Sequence, residues 1–294
     1  MAKILLILGL VLLGAAWAMR RRLNAPELEP EAEPAPLAAQ KDDTATAMAE
    51  AFATMTLPAL AGKITQGRAG LTESRIGGPL AWPVGQEPPR DDAGTPLALL
   101  AQVDLASLPQ PLDLPRTGLL QVLIVANDQF GCAYPSRQGD GMRLVLHPQG
   151  TAFAAHPSPQ SPMPFAQKYP TETGHPILWR ALECPPSGLD YQVSDIFHDA
   201  PATNPTAAEA IAAAMDAATL ARGSYDILLQ GNPDFTQSDP REDAQFAGMV
   251  NLVAFSSTGG ALMWGDSGEA CFLIPPEDLK DANLSRVIYY WDCC

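Results

Sequence analysis

Asp266 and Ser267 stand between Gly265 and Gly268 in ALMWGDSGEACFLIPPEDL, Ala261 to Leu279. A hydroxyl beside a carboxylate on a glycine-rich bend is one way to present a nucleophile, because glycine lets backbone amides turn towards a developing oxyanion. The same four residues suit a tight turn between two apolar runs, Leu262–Trp264 and Ala270–Ile274, with Asp266 accepting hydrogen bonds from amides that the turn exposes. Asp104, Asp234 and Asp239 are further acids in apolar or turn-rich surroundings. They could act as general acids or bases, although aspartates beside Gly and Pro more often cap local amides.

Combined with TAFAAHPS around His156, the GDSG stretch mimics the histidine-before-serine order of chymotrypsin-like proteases. The mimicry is partial. Glu269 stands where that pattern continues with glycine, and an anion there would oppose an oxyanion. A hydrolase using Asp266 or Ser267 therefore stays an alternative, and enzymatic activity is the less favoured reading. His147, His156, His175 and His198 have no HxH, HExxH or Cys-flanked spacing, so no metal site is expected. The five cysteines, Cys132, Cys184, Cys271, Cys293 and Cys294, form no CxxC pair and read as reduced thiols. The vicinal Cys293 and Cys294 could bind a soft metal or respond to oxidation, or simply end the chain. No GxxxxGK[ST] or GxGxxG loop is present, and no cofactor is implied.

Elements that could position these groups are short. Glycine and proline punctuate apolar runs at Leu97–Val103, Gly118–Ala126, Met142–His147, Ile177–Leu182, Gly248–Phe255, Ala270–Ile274 and Val287–Trp291, all of strand length. One helix is expected over residues 44–57, with Met48, Phe52 and Met55 on one face. A second covers Thr206–Gly223, with the stripe Ile211, Met215 and Ala218. Gln149–Lys168 is proline-rich and reads as a long loop.

The 294-residue chain, 47% hydrophobic, is long enough to bury a core. Lys3, Arg20, Arg21 and Arg22 are the only charged residues among the first 25, which leaves 14 basic against 33 acidic residues in the remainder. Such a body repels phosphate backbones, and nucleic acid is not an expected partner. The apolar run Ile4–Met19 would span about 24 Å as a helix and is followed by three arginines. Residues 1–23 are thus expected to be a transmembrane anchor in the inner membrane, with the body in the cytoplasm. Cleavage after the Ala16-Trp17-Ala18 pattern, with release to the periplasm, is the alternative. Residues 24–43, rich in Pro, Glu and Ala, read as a tether, and residues 44–294 as the globular domain.

Five phrases, in order, carry a resemblance: RIGGPLAWP (Arg75–Pro83), LLAQVDLASLP (Leu99–Pro109), DLPRTGLLQVLI (Asp113–Ile124), LLQGNPDFTQSDP (Leu228–Pro240) and LMWGDSGEACFLIPPEDL (Leu262–Leu279). Together they resemble the YwqG-like family of bacterial proteins over residues 71–294. The chain departs from the pattern at Asn251-Leu252-Val253, where the family has a Gln and an Asp around an apolar residue. The resemblance implies an α+β fold: a mainly antiparallel β-sheet body with a few helices, two related halves being an open alternative, here behind a transmembrane helix. It implies no established reaction and leans towards a module that binds an unknown protein or small ligand. The motif residues marked as binding candidates are Trp82, Gln102, Asp104, Gln237, Trp264 and Asp266.

Overall fold

Glycine and proline keep the apolar runs too short for helices, and they become strands in the computed structural model, which describes residues 50–109, 112–159, 161–193 and 205–294. In chain order the strands are β1 (Leu57–Ile64), β2 (Arg75–Ile76), β3 (Leu80–Pro83), β4 (Leu97–Asp104), β5 (Leu119–Val125), β6 (Ser136–Arg137), β7 (Met142–His147), β8 (Phe153–His156) and β9 (His175–Cys184). Helix α1 (Pro205–Arg222) follows, then β10 (Ile227–Gln230), β11 (Val250–Ser256), β12 (Glu269–Ile274), helix α2 (Pro276–Lys280) and β13 (Ile288–Asp292). Eleven strands form one antiparallel sheet in the order β6-β13-β12-β11-β10-β1-β9-β2-β4-β5-β7, and β3 pairs with β8 outside it.

The two ends of that order, β6 and β7, are consecutive in the chain, and only residues 138–141 separate them. The sheet must therefore curl until its edges meet. At the seam the Gln138 carboxamide takes the place of a strand residue: its Oε1 accepts from the Leu144 amide (3.0 Å), and its Nε2 donates to the Leu144 and Leu284 carbonyls (3.1 and 2.9 Å). The result is a nearly closed barrel. Alternation along each strand sends Leu60, Ile76, Leu120, Val122, Leu144, Phe255, Phe272 and Tyr289 to one continuous buried core. The Phe272 and Tyr289 rings stack there at 4.4 Å. The opposite face of β10–β13 buries Leu228, Cys271, Leu273, Ile288 and Tyr290 under Phe235 and Phe246. That of β4 and β5 is covered by Leu80 and Trp82 from β3.

These findings correct the α+β expectation. The described body is mostly antiparallel β with few helices, and all described strands but β3 and β8 share one sheet rather than dividing into halves. The transmembrane helix expected at 1–23 and the tether at 24–43 lie outside the described residues, and no described helix is long and apolar enough to cross a membrane. The reason is compositional: helix-forming sequence in the described body is concentrated in the alanine-rich α1, where Ile211, Met215 and Ala218 do pack against Phe52 and Val193. The first expected helix is described only over residues 50–55, and the loop expected at 149–168 contains β8.

Gln138→Leu keeps the bulk but leaves both polar groups of Leu144 without their partner. A loss of about 1 to 3 kcal/mol per buried group left unsatisfied is expected, measured as a lower urea midpoint. An unchanged midpoint would show that the seam does not depend on this side chain.

Candidate functional site

The bend at residues 264–268 is held by a neighbouring serine. The Ser257 hydroxyl donates to the Gly268 carbonyl (2.7 Å) and accepts from the Trp264 amide (2.9 Å), while the Gly268 amide donates to the Trp264 carbonyl (2.7 Å). Gly265 and Ser267 take the left-handed region, at φ 53 and 63. Gly268 does not. It must be glycine because a Cβ would overlap the Asp292 carbonyl oxygen. The bend leads into β12, but Leu262 makes only an isolated bridge to Phe165, so the expected hairpin is not formed. Nor does Asp266 hold the turn: its carboxylate is exposed and makes no hydrogen bond with a described residue, and only its carbonyl accepts, from the Cys294 amide (3.4 Å). Ser267 is exposed too, and no described residue accepts its hydroxyl. His156 sits on β8, in the separate two-stranded sheet, with no hydrogen bond to Ser267.

Beside this bend, the acid that organises the backbone is Asp292. Its carboxylate accepts from the amides of Thr236 (3.0 Å) and Gln237 (2.7 Å) and from the Tyr290 hydroxyl (3.1 Å). Loop 236–238 is thereby fixed alongside the end of β13. A second clamp follows in the chain, where the buried Arg241 bridges Asp239 (2.6 Å) and Asp190 (2.9 Å) and lies 4.8 Å from the centre of the Tyr191 ring.

Between loop 236–238 and loop 129–135 lies a hollow of about 390 Å³, lined by Gln129, Cys132, Tyr134, Gln237, Trp291 and Cys293 among others. It exists because β6 pairs with β13 only at Ile288 and Tyr289, which leaves the rest of the β13 edge without a strand partner. The Cys132 thiol fills part of that edge by donating to the Tyr289 carbonyl (3.7 Å). Burial pushes this thiol up, with the surrounding amides partly offsetting the effect. Tyr134 is 63% exposed on a backbone at φ 23, and its ring meets Tyr290 edge-on at 5.3 Å. Trp291 is half-buried and donates from Nε1 to the Gln129 carbonyl (3.0 Å). Gln237 donates from Nε2 to the Cys293 carbonyl. Trp264 lies behind this wall, fully buried and 6.2 Å from Trp291.

Glu269 flanks the same region at the start of β12, paired across the sheet with Asp292. It is buried and accepts from the Ser256 hydroxyl at 2.7 Å. Burial pushes its carboxyl up to about 8; the Ser256 bond opposes this, and the charges of Asp234 and Asp292 reinforce it against that of Arg222.

A second polar group runs across the outside of β2, β4, β5 and β7. Arg75, Gln102 and Gln121 are direct partners on neighbouring strands, and His147 is their diagonal neighbour. His147 Nε2–H donates to Gln121 Oε1 (3.0 Å), and Gln121 Nε2 donates to Gln102 Oε1 (3.2 Å), which Arg75 also reaches (3.3 Å). Gln102 and Gln121 bond onward to the carbonyls of Leu71, Glu73 and Ala81. Burial lowers the Arg75 guanidinium to about 10 and moves His147 down as well. Trp82 packs edge-on against His147 at 5.1 Å. The ladder thus fastens segment 71–82 to the sheet.

A family model described as a domain of unknown function (DUF1963) matches residues 74–293. The chain belongs to that family. Among curated proteins none matches it. Both polar groups fall inside the DUF1963 match. Within the domain, Trp82 and Gln102 come together in the ladder, whereas Gln237, Trp264 and Asp266 gather around the C-terminal cysteines. Asp104 joins neither and caps a 3₁₀ turn through the Ala106 amide (3.1 Å). Sequence reasoning did not mark Arg75, Gln121 or His147 as site residues, although Arg75 and Gln121 lie in the phrases that carry the family resemblance. It also missed Tyr134 and Asp292.

Two outcomes are expected. Gly268→Val lowers Tm by about 2 to 8 °C, from roughly 1 to 3 kcal/mol of overpacking, while Asp266→Ala leaves it unchanged; the reverse order would restore Asp266 as the holder of the turn. Glu269 keeps its proton to a higher pH folded than unfolded, so its contribution to stability is complete below 4.5 and is lost as pH rises towards about 8. Glu269→Gln should flatten that decline in denaturant titrations between these limits, and an unaltered slope would assign the decline to another group.

Proposed function

We propose that this DUF1963 domain is a binding module that takes a peptide-like segment of a partner protein in the hollow between Tyr134 and Gln237. The observation that carries the reading is Tyr134: its ring is largely exposed on a left-handed backbone, a conformation that costs energy and that recurs where binding requires it. Around it the hollow offers the Trp291 ring, the Gln129 and Gln237 carboxamides and a thiol, while the Asp292 charge is already taken up by four donors, the amides of Thr236, Gln237 and Ser238 and the Tyr290 hydroxyl. Aromatic faces with neutral hydrogen-bonding groups suit an amide backbone better than an ion. The YwqG-like resemblance leans the same way, and the acid excess of the body favours a basic partner over nucleic acid. For localisation the proposal keeps the inner membrane, with the run Ile4–Met19 as the attachment and the body in the cytoplasm. Alkaline phosphatase fused after Cys294 should then stay in the cytoplasm and be inactive, and an active fusion would overturn the orientation.

The direct test uses the full chain, immobilised in detergent, and a pool of randomised octapeptides. Wild type should retain a subset that Tyr134→Ala retains at least about tenfold less, a change typical of an aromatic anchor, with Tm unaltered. Equal retention by the two proteins, or none by wild type, would overturn the reading.

A further inference from the structure

A second hollow, of about 380 Å³, adjoins the first along β13, and its lining includes Arg137, Phe246, Met249, Pro275, Arg286 and Ile288. Phe246 and Ile288 are each 3% exposed and give it an apolar floor. Ile288 and Tyr290 share the outward face of β13, so the two hollows are offset by about two residues of strand, roughly 7 Å.

Its two arginines differ. Arg286 is occupied, with Nε 2.5 Å from Asp278 and NH2 2.7 Å from Glu277. Arg137 is fixed at its backbone by pairing with Ile288 and by the Asp140 carboxylate, which accepts from its amide at 3.2 Å. Its guanidinium makes no hydrogen bond or ion pair with any described residue. Arg137 is thus a cation with no side-chain partner among the described residues, placed beside an apolar floor at the neighbouring end of the peptide cleft.

We infer that Arg137 receives the C-terminal carboxylate of the bound peptide, whose last side chain is apolar and rests on Phe246 and Ile288. The inference rests on the peptide reading above. A guanidinium presents two parallel N–H donors that match both oxygens of a carboxylate, which a lysine cannot reproduce. Capture of a chain terminus also explains why the cation lies two strand residues from the aromatic cleft rather than within it. An internal Asp or Glu would bring the same group without needing a chain end, and the choice of probe separates the two.

The experiment uses the full chain and two randomised octapeptide pools that are identical except for a free carboxylate or an amide at the C-terminus. Wild type should retain the acid pool at least about tenfold better than the amide pool, as for a charge-assisted bond. Arg137→Gln should bring acid-pool retention down to the amide level with Tm unchanged, and Arg137→Lys should recover only part of it. If both pools bind wild type equally, terminal capture is wrong while the peptide reading stands, and internal acids become the feature to read in the retained sequences. If Arg137→Gln retains the acid pool as well as wild type, Arg137 is not the receptor. If wild type retains neither pool, both readings fall together.

Discussion

Everything in this body depends on the closure between β6 and β7. The outermost strands of the sheet order are neighbours in the chain, joined by four residues, so the sheet cannot lie open without stretching that connection. Gln138 completes the closure by acting as a strand residue made from a side chain. Once the sheet is closed, apolar residues from both ends of the sheet order, Leu144 of β7 and Tyr289 of β13 among them, meet in one core. The brevity of β6 has the opposite consequence on the outside. With only two residues pairing to β13, it leaves an edge that loops and side chains must line; the first hollow lies there, and the second flanks the paired Arg137 and Ile288.

The charges of the body divide by role. Asp292, Asp239 and Asp226 are all buried and each accepts from backbone amides, so they behave as structural acceptors. Arg241 and Arg222 are likewise committed, the first to two aspartates and the second to the carbonyls of Pro185 and Asn232 and to the Tyr225 hydroxyl. Burying such groups is costly unless every polar atom is matched, and here they fasten loops to the sheet. Against this background an arginine with no acid partner at the rim of an apolar hollow is informative. The exposed Tyr134 is informative for the complementary reason, since a large aromatic ring that is 63% exposed on a left-handed backbone gains little from packing beyond its edge-on contact with Tyr290.

How far the sequence could be read depended on the range of each interaction. Strand runs such as Leu97–Val103 and Met142–His147 were legible because their length and their punctuation are local. The stripe Ile211, Met215 and Ala218 was legible for the same reason. The α+β class came from the family resemblance, whereas the local runs read as strands; that those strands share one nearly closed sheet was written in none of them. At the bend, glycine at Gly268 was legible as part of a tight turn but the cause of its need was not: the crowding atom is the carbonyl of Asp292, 24 positions further on. Asp266 misled because a carboxylate in a turn suggests a cap, and the cap came from Ser257, eleven residues before Gly268. The ladder of Arg75, Gln102, Gln121 and His147 spans four strands, and no local pattern registers such a row. Cross-strand register, which alone shows that Arg75 faces Gln102 and that Ile288 faces Arg137, is not written in any one segment.

The central claim is that the β13 edge, framed by the loops on either side of it, is where this body meets its partner. Hydrogen–deuterium exchange of the full chain, with and without saturating retained octapeptide, tests it without relying on any substitution. The account predicts slower exchange confined to residues 129–137 and 236–249 and to β13. Protection elsewhere, for example over residues 71–82 at the polar ladder, with these segments unchanged, would contradict it.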